Sequence, residues 1–560
     1  MAPPLCREIA RSVSAAAKFF ANGAVIIAGR ANVRRGFQNS QTFLCHKRTP
    51  FRPGRERELS ETDIAASPST GRIVRNAATA VAIAWSMRAI GLVSVLVLAR
   101  VLTPRDFGIM ALAMSAAALV DIFAALGLRQ SLLRIREPER AHYDTAWTIQ
   151  LLLLLSLAVV LVAMAPVAAW FYEEPALTVI IAVLASRFVF YGLVNIGTID
   201  FDRHLELGRD LKLRVAVRLG TFAATVGAAF VLRNYWALVI GAVLQAGLHA
   251  AGSYVAHPYR PRFSLAKRAE LLGVSLWMFL ASAGHTLYRE TEQLVAGRIA
   301  AMQVVGFYSV TKGLSSIFTE EIATALNRVT FVTTARNGSP LRDQAGRFNV
   351  MLGAYAMIVA PLGFGLSATA EQACAVLLGP QWAGAAPYLR LIGPAAACFA
   401  VHKLIVSSLQ ASGEARKGAF LALSGFVVLA CVTTTVALSG GNALALAWAG
   451  LAASATLLLT GLVAVSYGSE AGPTSLFFGV ARPFASALVM LALLRSAPAI
   501  PGGDFVHLVV DAAAGATIFV VVTAALWWAS GRPDGAEARI AALLSSAFAK
   551  YFGRLSPDGR

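Results

Sequence analysis

Residues 146–170 read AWTIQLLLLLSLAVVLVAMAPVAAW, a run without one charged side chain. It is longer than the roughly 20 residues that a helix needs to cross the hydrocarbon core of a bilayer. Lipid offers no partner to backbone N–H and C=O groups, so a spanning segment of this kind must be helical. The same pattern recurs on both sides of it. Fourteen candidate spans can be marked, at 78–102, 106–127, 146–170, 175–199, 215–232, 235–256, 271–296, 302–327, 349–370, 386–410, 417–438, 442–465, 476–494 and 505–529. The composition agrees: 57% of residues are hydrophobic, 14% are charged and the mean hydropathy is +0.64, whereas a soluble domain carries about 25% charged residues. The expected fold is therefore an all-α integral membrane domain, and an ordinary soluble enzyme is excluded.

Tight turns such as Thr103-Pro104-Arg105 and Ser439-Gly440-Gly441 join neighbouring spans, which must then run antiparallel. Loop charges test the count, because basic residues collect on the cytoplasmic side of a membrane protein. The loops after the second, fourth, sixth, eighth and tenth spans hold eighteen Lys and Arg. The alternate loops hold four, Arg105, Arg233, Arg298 and Arg495, together with Glu173-Glu174. Both termini are expected in the cytoplasm. The net charge of +19 follows from this bias, so no nucleic-acid partner is expected.

Residues 1–70 differ from the rest and read as a basic, disordered cytoplasmic arm. Within it, Ala15–Gly29 is apolar but interrupted by Lys18 and Asn22. That suits an amphipathic surface segment or an upstream mis-start of translation better than a signal peptide. The five cysteines, Cys6, Cys45, Cys374, Cys398 and Cys431, are widely spaced without CxxC, so no metal, haem or other cofactor is expected.

An internal repeat organises the spans. Ala99-Arg100-Val101 followed by Gly108 returns as Gly297-Arg298-Ile299 followed by Gly306, at an offset of 198 residues both times. Six spans fill that interval. The expected division is a six-helix lobe at 71–256, a basic linker at 257–270, a second parallel six-helix lobe at 271–466, two extra helices at 467–530 and a cytoplasmic tail at 531–560. Parallel repeats of this kind are a transporter design, with the substrate between the lobes.

The stretch Ala99-Arg100-Val101-Leu102-Thr103-Pro104-Arg105-Asp106-Phe107-Gly108, then Leu126-Gly127-Leu128, Gly297-Arg298 with Gly306-Phe307-Tyr308-Ser309, Leu378-Gly379-Pro380-Gln381-Trp382 with Ala386-Pro387-Tyr388-Leu389-Arg390, and Ser412-Gly413-Glu414-Ala415-Arg416 resemble the oligosaccharide flippases of bacterial polysaccharide synthesis. These belong to the multidrug/oligosaccharidyl-lipid/polysaccharide exporter superfamily, and the resemblance runs from about residue 72 to 465. It implies a fourteen-helix, two-lobed transporter that passes an undecaprenyl-diphosphate-linked oligosaccharide from the cytoplasmic to the periplasmic leaflet. Exopolysaccharide, capsule or lipopolysaccharide synthesis would use it, alongside a polymerase and glycosyltransferases. The family commonly carries Asp before Leu-Gly-Leu; this chain has Ala125 there and Asp121 one turn earlier. Glu292 stands where the family has an Asp six residues before the Arg.

Ionisable residues at bilayer depth cost about 2.5 to 3.5 kcal/mol each on insertion scales, so they mark pathways or pairs. Arg88, Arg187, Arg289 and Lys312 fall inside expected spans of both lobes. Facing a central cleft, they would line it for a diphosphate, which guanidinium groups bind bidentately. Snorkelling or structural pairing is the alternative. Glu292, with Asp121 and Glu320, is the candidate for coupling a proton or sodium ion or for gating, and Arg289 and Glu292 at i and i+3 could also neutralise each other. No GxxxxGK[ST] loop is present to bind ATP. The competing functions are a multidrug antiporter of the same superfamily, which would want an acidic or aromatic pocket, and a membrane glycosyltransferase or polymerase, which would want a long external loop. A major-facilitator transporter would want a Gly-rich Asp-Arg motif that the loop 128–142 lacks.

Overall fold

A computed structural model describes residues 87, 89–124, 128–135, 137–203, 207–271, 276–321, 345–466, 472–497, 503–542 and 545. The expectations for residues 1–70, for Arg88 and for the tail beyond 545 lie outside the described residues. The described chain is helical throughout, without a strand. Its long helices are α1 (Ala89–Val101), α2 (Pro104–Ala124), α3 (Arg140–Tyr172), α4 (Ala176–Gly192), α5 (Leu207–Leu232), α6 (Trp236–Ala256), α7 (Leu276–Ile299), α8 (Met302–Ser316), α9 (Ala345–Ala368), α10 (Ala386–Ala411), α11 (Ala415–Leu438), α12 (Ala443–Ser466), α13 (Gly472–Ser496) and α14 (Asp504–Ala529).

Ten helices among the described residues are long and apolar enough to cross a membrane, or eleven when α4 is counted with the bent segment that follows it. The remaining expected spans fall on α1 and α8, which are short, and on α7, which carries Arg289, Glu290 and Glu292. Large apolar side chains such as Val159, Trp170, Val231 and Val520 point outward from the bundle. In α14 only 11% of the most apolar stretch is buried. Water would not tolerate such a surface, and a bilayer requires it. The protein is a multi-pass membrane protein.

Local chemistry explains where α2 begins. Thr103 is the N-cap, Pro104 the first helical residue and Asp106 the third. The Asp106 carboxylate accepts from the Thr103 amide at 2.9 Å and from its hydroxyl at 2.6 Å, while the Asp106 amide donates back to Thr103 Oγ1 at 3.3 Å. That is a reciprocal capping box with the proline where its missing N–H costs nothing. The other Asp106 oxygen accepts from the Tyr235 amide at 3.0 Å, tying the start of α6 to the start of α2.

Two boundaries depart from the sequence reading. α3 begins at Arg140 rather than at 146, because the segment 257–268 lies along its polar first turns and supplies partners for them. The amides of Arg262, Ser264 and Lys267 donate to Asp144, Thr148 and Thr145, at 2.8, 3.0 and 3.3 Å. The span expected at 175–199 stops at Gly192, and the chain turns by 65° into a short helical segment ending at Arg203. The Asn195 side chain accepts from the Gly197 amide at 3.0 Å and donates to Tyr259 O at 2.7 Å, while Gln150 Nε2 takes Tyr191 O at 3.0 Å. These bonds satisfy backbone groups that a continuing helix would have used.

Packing follows the chain order in part: α3 lies on α4, α5 on α6, and α9 between α10 and α13. Other contacts join distant parts. α7 lies along α11, and α2 packs on α8. Small residues permit the last of these. A Cβ on Gly108 would lie 1.9 Å from Met302 O, and one on Gly306 would lie 1.8 Å from Pro104 O. Only glycine lets the two backbones touch this closely.

Candidate functional site

The contact between α2 and α8 is self-complementary. Gly108 meets Met302 and Gly306 meets Pro104, and each residue is displaced from its counterpart by the 198-residue offset of the repeat. The surrounding contacts repeat the logic. Arg100, at the end of α1, donates to Val376 O at 2.6 Å, and its counterpart Arg298, at the end of α7, pairs with Glu173 at 3.1 Å. Each arginine therefore reaches from its own half into the other.

A second element closes this end of the bundle. Between α9 and α10 the chain forms a π turn, Cys374–Leu378, then Gly379 with φ 107°, then the 3₁₀ segment Pro380–Ala385. Gln381 Nε2 donates to Ala99 O and to Leu102 O, the latter at 3.1 Å, and the fully buried Trp382 donates from Nε1 to Ala99 O at 2.7 Å. Phe107 and Phe307 meet the indole edge-on, with ring centroids at 5.3 and 5.9 Å. The last carbonyls of α1, which have no helical donors of their own, are thus capped by side chains from the other half.

Below this seal the charged residues named from the sequence come together in pairs. Asp121 on α2 faces Arg187 on α4, with Oδ2 3.4 Å from Nη2. Arg187 also contacts Met114 Sδ at 3.2 Å and lies over the rings of Phe188 and Tyr191. Glu292 on α7 pairs with Lys312 on α8 at 3.3 Å, and Lys312 also donates to Arg289 O. Arg289 itself is exposed and contacts Glu290 at 3.4 Å, while the other Glu290 oxygen accepts from Ser115 Oγ at 2.7 Å. Glu292 therefore takes Lys312 of α8 as its partner, while Arg289 takes Glu290. Glu320 falls in the π-helical turn Ile317–Glu321 that ends α8, with its side chain outside the described residues. Arg88 lies outside them as well.

α2 links both sides of this arrangement, since Ser115 binds Glu290 of α7 and Asp121 binds Arg187 of α4. Glu292 is held on its remaining side by α12: a Cβ on Gly450 would lie 1.7 Å from Glu292 Oε1. Tyr288, one turn earlier on α7, hydrogen-bonds Ser454 on α12 at 2.7 Å and stacks on Phe399 of α10.

A cavity of about 610 Å³ opens at the opposite end of α1 from the seal. One wall is apolar, with Met87, with Leu92 and Val95 of α1, and with Ile317 of the turn after α8. The other carries Arg214 and Arg218 of α5, Gln245 and His249 of α6, and Tyr191 of α4. Its size falls in the range of about 300–1,000 Å³ usual for small-molecule sites. Arg214 is neutralised by Asp210 at 2.7 Å. Arg218 has no hydrogen bond or ion pair among the described residues; its Nη2 sits where a side chain on Gly91 would be, 2.8 Å from that absent Cβ. Arg218 and His249 were not singled out in the sequence. Arg218 lies eleven residues into α5, or roughly 16 Å along it, and its depth in a span was the signal that could have found it.

The sequence profile of the family described as polysaccharide biosynthesis protein matches residues 97–387. The succinoglycan biosynthesis transport protein ExoT of Rhizobium meliloti (strain 1021) is 24% identical over 423 residues, covering 72% of this chain and 82% of its own. The lipopolysaccharide biosynthesis protein WzxC of Escherichia coli (strain K12) is 23% identical over 311 residues, covering 54% of this chain and 62% of its own. Among solved structures, the lipid II flippase MurJ in an inward closed conformation superposes with a TM-score of 0.63 at 11% identity, over 80% of this chain and 99% of that one. The last similarity is one of fold.

Proposed function

The chain belongs to the polysaccharide biosynthesis protein family, and from that premise we propose that it is a flippase carrying an undecaprenyl-diphosphate-linked oligosaccharide from the cytoplasmic to the periplasmic leaflet of a bacterial inner membrane. Relatives of this chain are transporters, not enzymes. No bond is made or broken; the lipid tail stays in the bilayer while the sugar-diphosphate crosses between two lobes, 71–256 and 271–466, with the linker 257–270 between them and the helices of 467–530 outside.

One observation carries this reading. The two halves meet at one end in a contact related by the 198-residue repeat, and a cavity lies at the other end. A pseudo-two-fold seal of glycines, with helix-end carbonyls capped across it, supports alternating access: the capped carbonyls can be hydrated when the seal parts, so opening leaves no buried orphan. The side carrying the basic loops is then cytoplasmic, and both termini lie there.

Arg187 and Lys312 serve the cargo in a second role. Each is held by a carboxylate, Asp121 or Glu292. A proton on that carboxylate releases the cation to the anionic headgroup, which couples binding to an ion gradient. Arg289, exposed beside Glu290, joins them as a contact for the cargo, and Glu320 is the gating residue of this reading.

A deletion strain tests the function. Loss of surface polysaccharide with unchanged drug sensitivity is the expected phenotype. Full polysaccharide together with new sensitivity to cationic drugs would instead assign the chain to multidrug export.

A further inference from the structure

We propose that the segment following α14 is a latch: Glu537 docks on Arg482 inside α13 and fastens the pair α13–α14 to α9, across a weak turn of α13 at Gly479–Pro483. The latch itself does not depend on the cargo. That the body it fastens moves during transport rests on the flippase reading.

The end of α14 sends the chain back toward α13. The Arg532 amide donates to Trp527 O and the Gly531 amide to Trp528 O, both at 3.1 Å, with φ of 80° at Gly531 and 53° at Arg532. This is a Schellman end, which satisfies the last carbonyls of the helix and turns the chain out of its axis, and Pro533 then bars further helix. The Trp527 indole donates to Pro533 O at 3.1 Å and pins the turn. A new helix begins at Ala536. Ala536 is 3% exposed, and its methyl lies over Gly353 of α9, 3.2 Å from where a Cβ on that glycine would be.

The target is a charge that cannot stay alone. Arg482 lies ten residues past the start of α13, about 15 Å along it. A guanidinium at that depth in an apolar helix demands an anion. Glu537 Oε1 is 3.2 Å from Arg482 Nη1 and is the one carboxylate paired with it among the described residues, with both side chains under 10% exposed. Neither of the two facing atoms makes a hydrogen bond, so charge and burial hold the contact and no directional bond has to break for it to part. Pro483, next to Arg482, has no amide to offer Gly479 O, so α13 lacks a helical bond at this turn. Gly479 also lies so close to Asn349 of α9 that a Cβ would meet Asn349 Oδ1. The tail therefore bears on α13 where that helix bends most easily.

Elsewhere the pair is already fitted to the second lobe. Ala487 and Met490 of α13 and Phe519 of α14 pack with Ala360 and Phe364 of α9, and toward the seal Arg495 Nη2 donates to Ser367 Oγ at 3.2 Å. With Glu537 docked, α13–α14 are held to α9 at both ends and move with it. With Glu537 released, the arm of α13 before Pro483 can part from α9.

The test uses the full-length protein in nanodiscs with its native cysteines replaced. A cysteine at Ala536 reports the latch through its labelling rate with a water-soluble maleimide, and spin labels at the exposed Gly346 of α9 and Trp528 of α14 report the distance between the pair and the lobe. Wild type is expected to label slowly and to show one narrow distance. Glu537→Gln, which strands Arg482, should label about tenfold faster or more and broaden the distance. Should the stranded charge keep Glu537→Gln from inserting, Arg482→Met with Glu537→Lys answers the same question, since its span carries no charge and its tail has no counter-ion; fast labelling is again expected. Wild-type labelling rates in these variants overturn the latch. Faster labelling at an unchanged distance overturns the fastening of α13–α14. Both readouts are made without cargo, so intact polysaccharide in the deletion strain, which sinks the flippase reading, leaves them standing.

Discussion

Lys312 and Glu292 illustrate how a charge at membrane depth is made tolerable. Each is mostly buried, the pair is 3.3 Å apart, and Gly450 of α12 leaves just enough room for the carboxylate. Removing one partner strands the other, which is more damaging than removing both. Lys312→Met and Glu292→Gln are each expected to cut transport by about tenfold or more, equivalent to ~1.4 kcal/mol in the rate-limiting state. The double variant should restore membrane-inserted protein levels without restoring transport. Restored transport in the double variant would make the pair purely structural. The residue types at these positions were legible in the sequence, since ionisable side chains inside apolar runs stand out. Their partners were not: Arg289 lay closer to Glu292 in sequence, and only the packing of α8 on α7 brings Lys312 nearer.

At the scale of elements, the cap of α2 and the strap along α3 make separate claims. Asp106→Ala removes the carboxylate side of the capping box and the anchor of the Tyr235 amide, while the backbone amide at 106 still donates to Thr103 Oγ1. A cap alone is worth about 1 kcal/mol, and thermal unfolding of the purified protein should show a loss of that size or somewhat more. The strap is closed by a titratable contact outside the membrane. His142 Nδ1 accepts from the Glu139 amide at 3.1 Å, which leaves the Nε2 hydrogen to face Glu270 at 2.9 Å. This hydrogen bond, and then Lys267 at 3.3 Å, hold the Glu270 carboxyl below its ordinary value of 4.5. A depressed carboxyl stabilises the folded state above its unfolded value, so the contribution is complete above about pH 4.5 and fades as the pH falls through the lower folded value. Melting curves from pH 7 down to pH 3 should lose that acid-limb slope in Glu270→Gln; an identical profile would show that the strap does not depend on this contact. The sequence marked the existence of α3 and α4 correctly because apolar length is a strong signal. It misplaced their ends because the determinants are tertiary: the amides of 262–267 extend α3, and the Asn195 and Gln150 side chains break α4.

At the scale of the whole molecule, the repeat visible as two short motifs becomes a physical contact. Gly108 and Gly306 are legible as turn-adjacent glycines, yet their purpose, the crossing of two backbones, needs the other half of the chain. The same holds for Gln381 and Trp382, whose targets are carbonyls some 280 positions earlier. The cavity was invisible for a related reason, since its walls come from α1, α4, α5, α6 and the end of α8. Gly306→Leu keeps the helix but holds α2 and α8 apart; it should leave the sealed end open, so that a cysteine at Phe107 labels with a water-soluble maleimide while the same cysteine beside wild-type Gly306 does not. Labelling that is equal in both would show that the glycine crossing does not hold the seal.

Translocation itself is measured most directly in proteoliposomes, by following a diphosphate-linked sugar lipid from one leaflet to the other before and after the seal is locked. Cysteines at Arg100 and Val376, whose side chain and carbonyl meet across the seal, can be joined by a short bismaleimide. The expected result is saturable, protein-dependent movement in the unlocked protein and in each single-cysteine variant treated alike, and its loss on cross-linking the pair. Movement at the same rate through the locked protein would contradict passage between two lobes that part at this end.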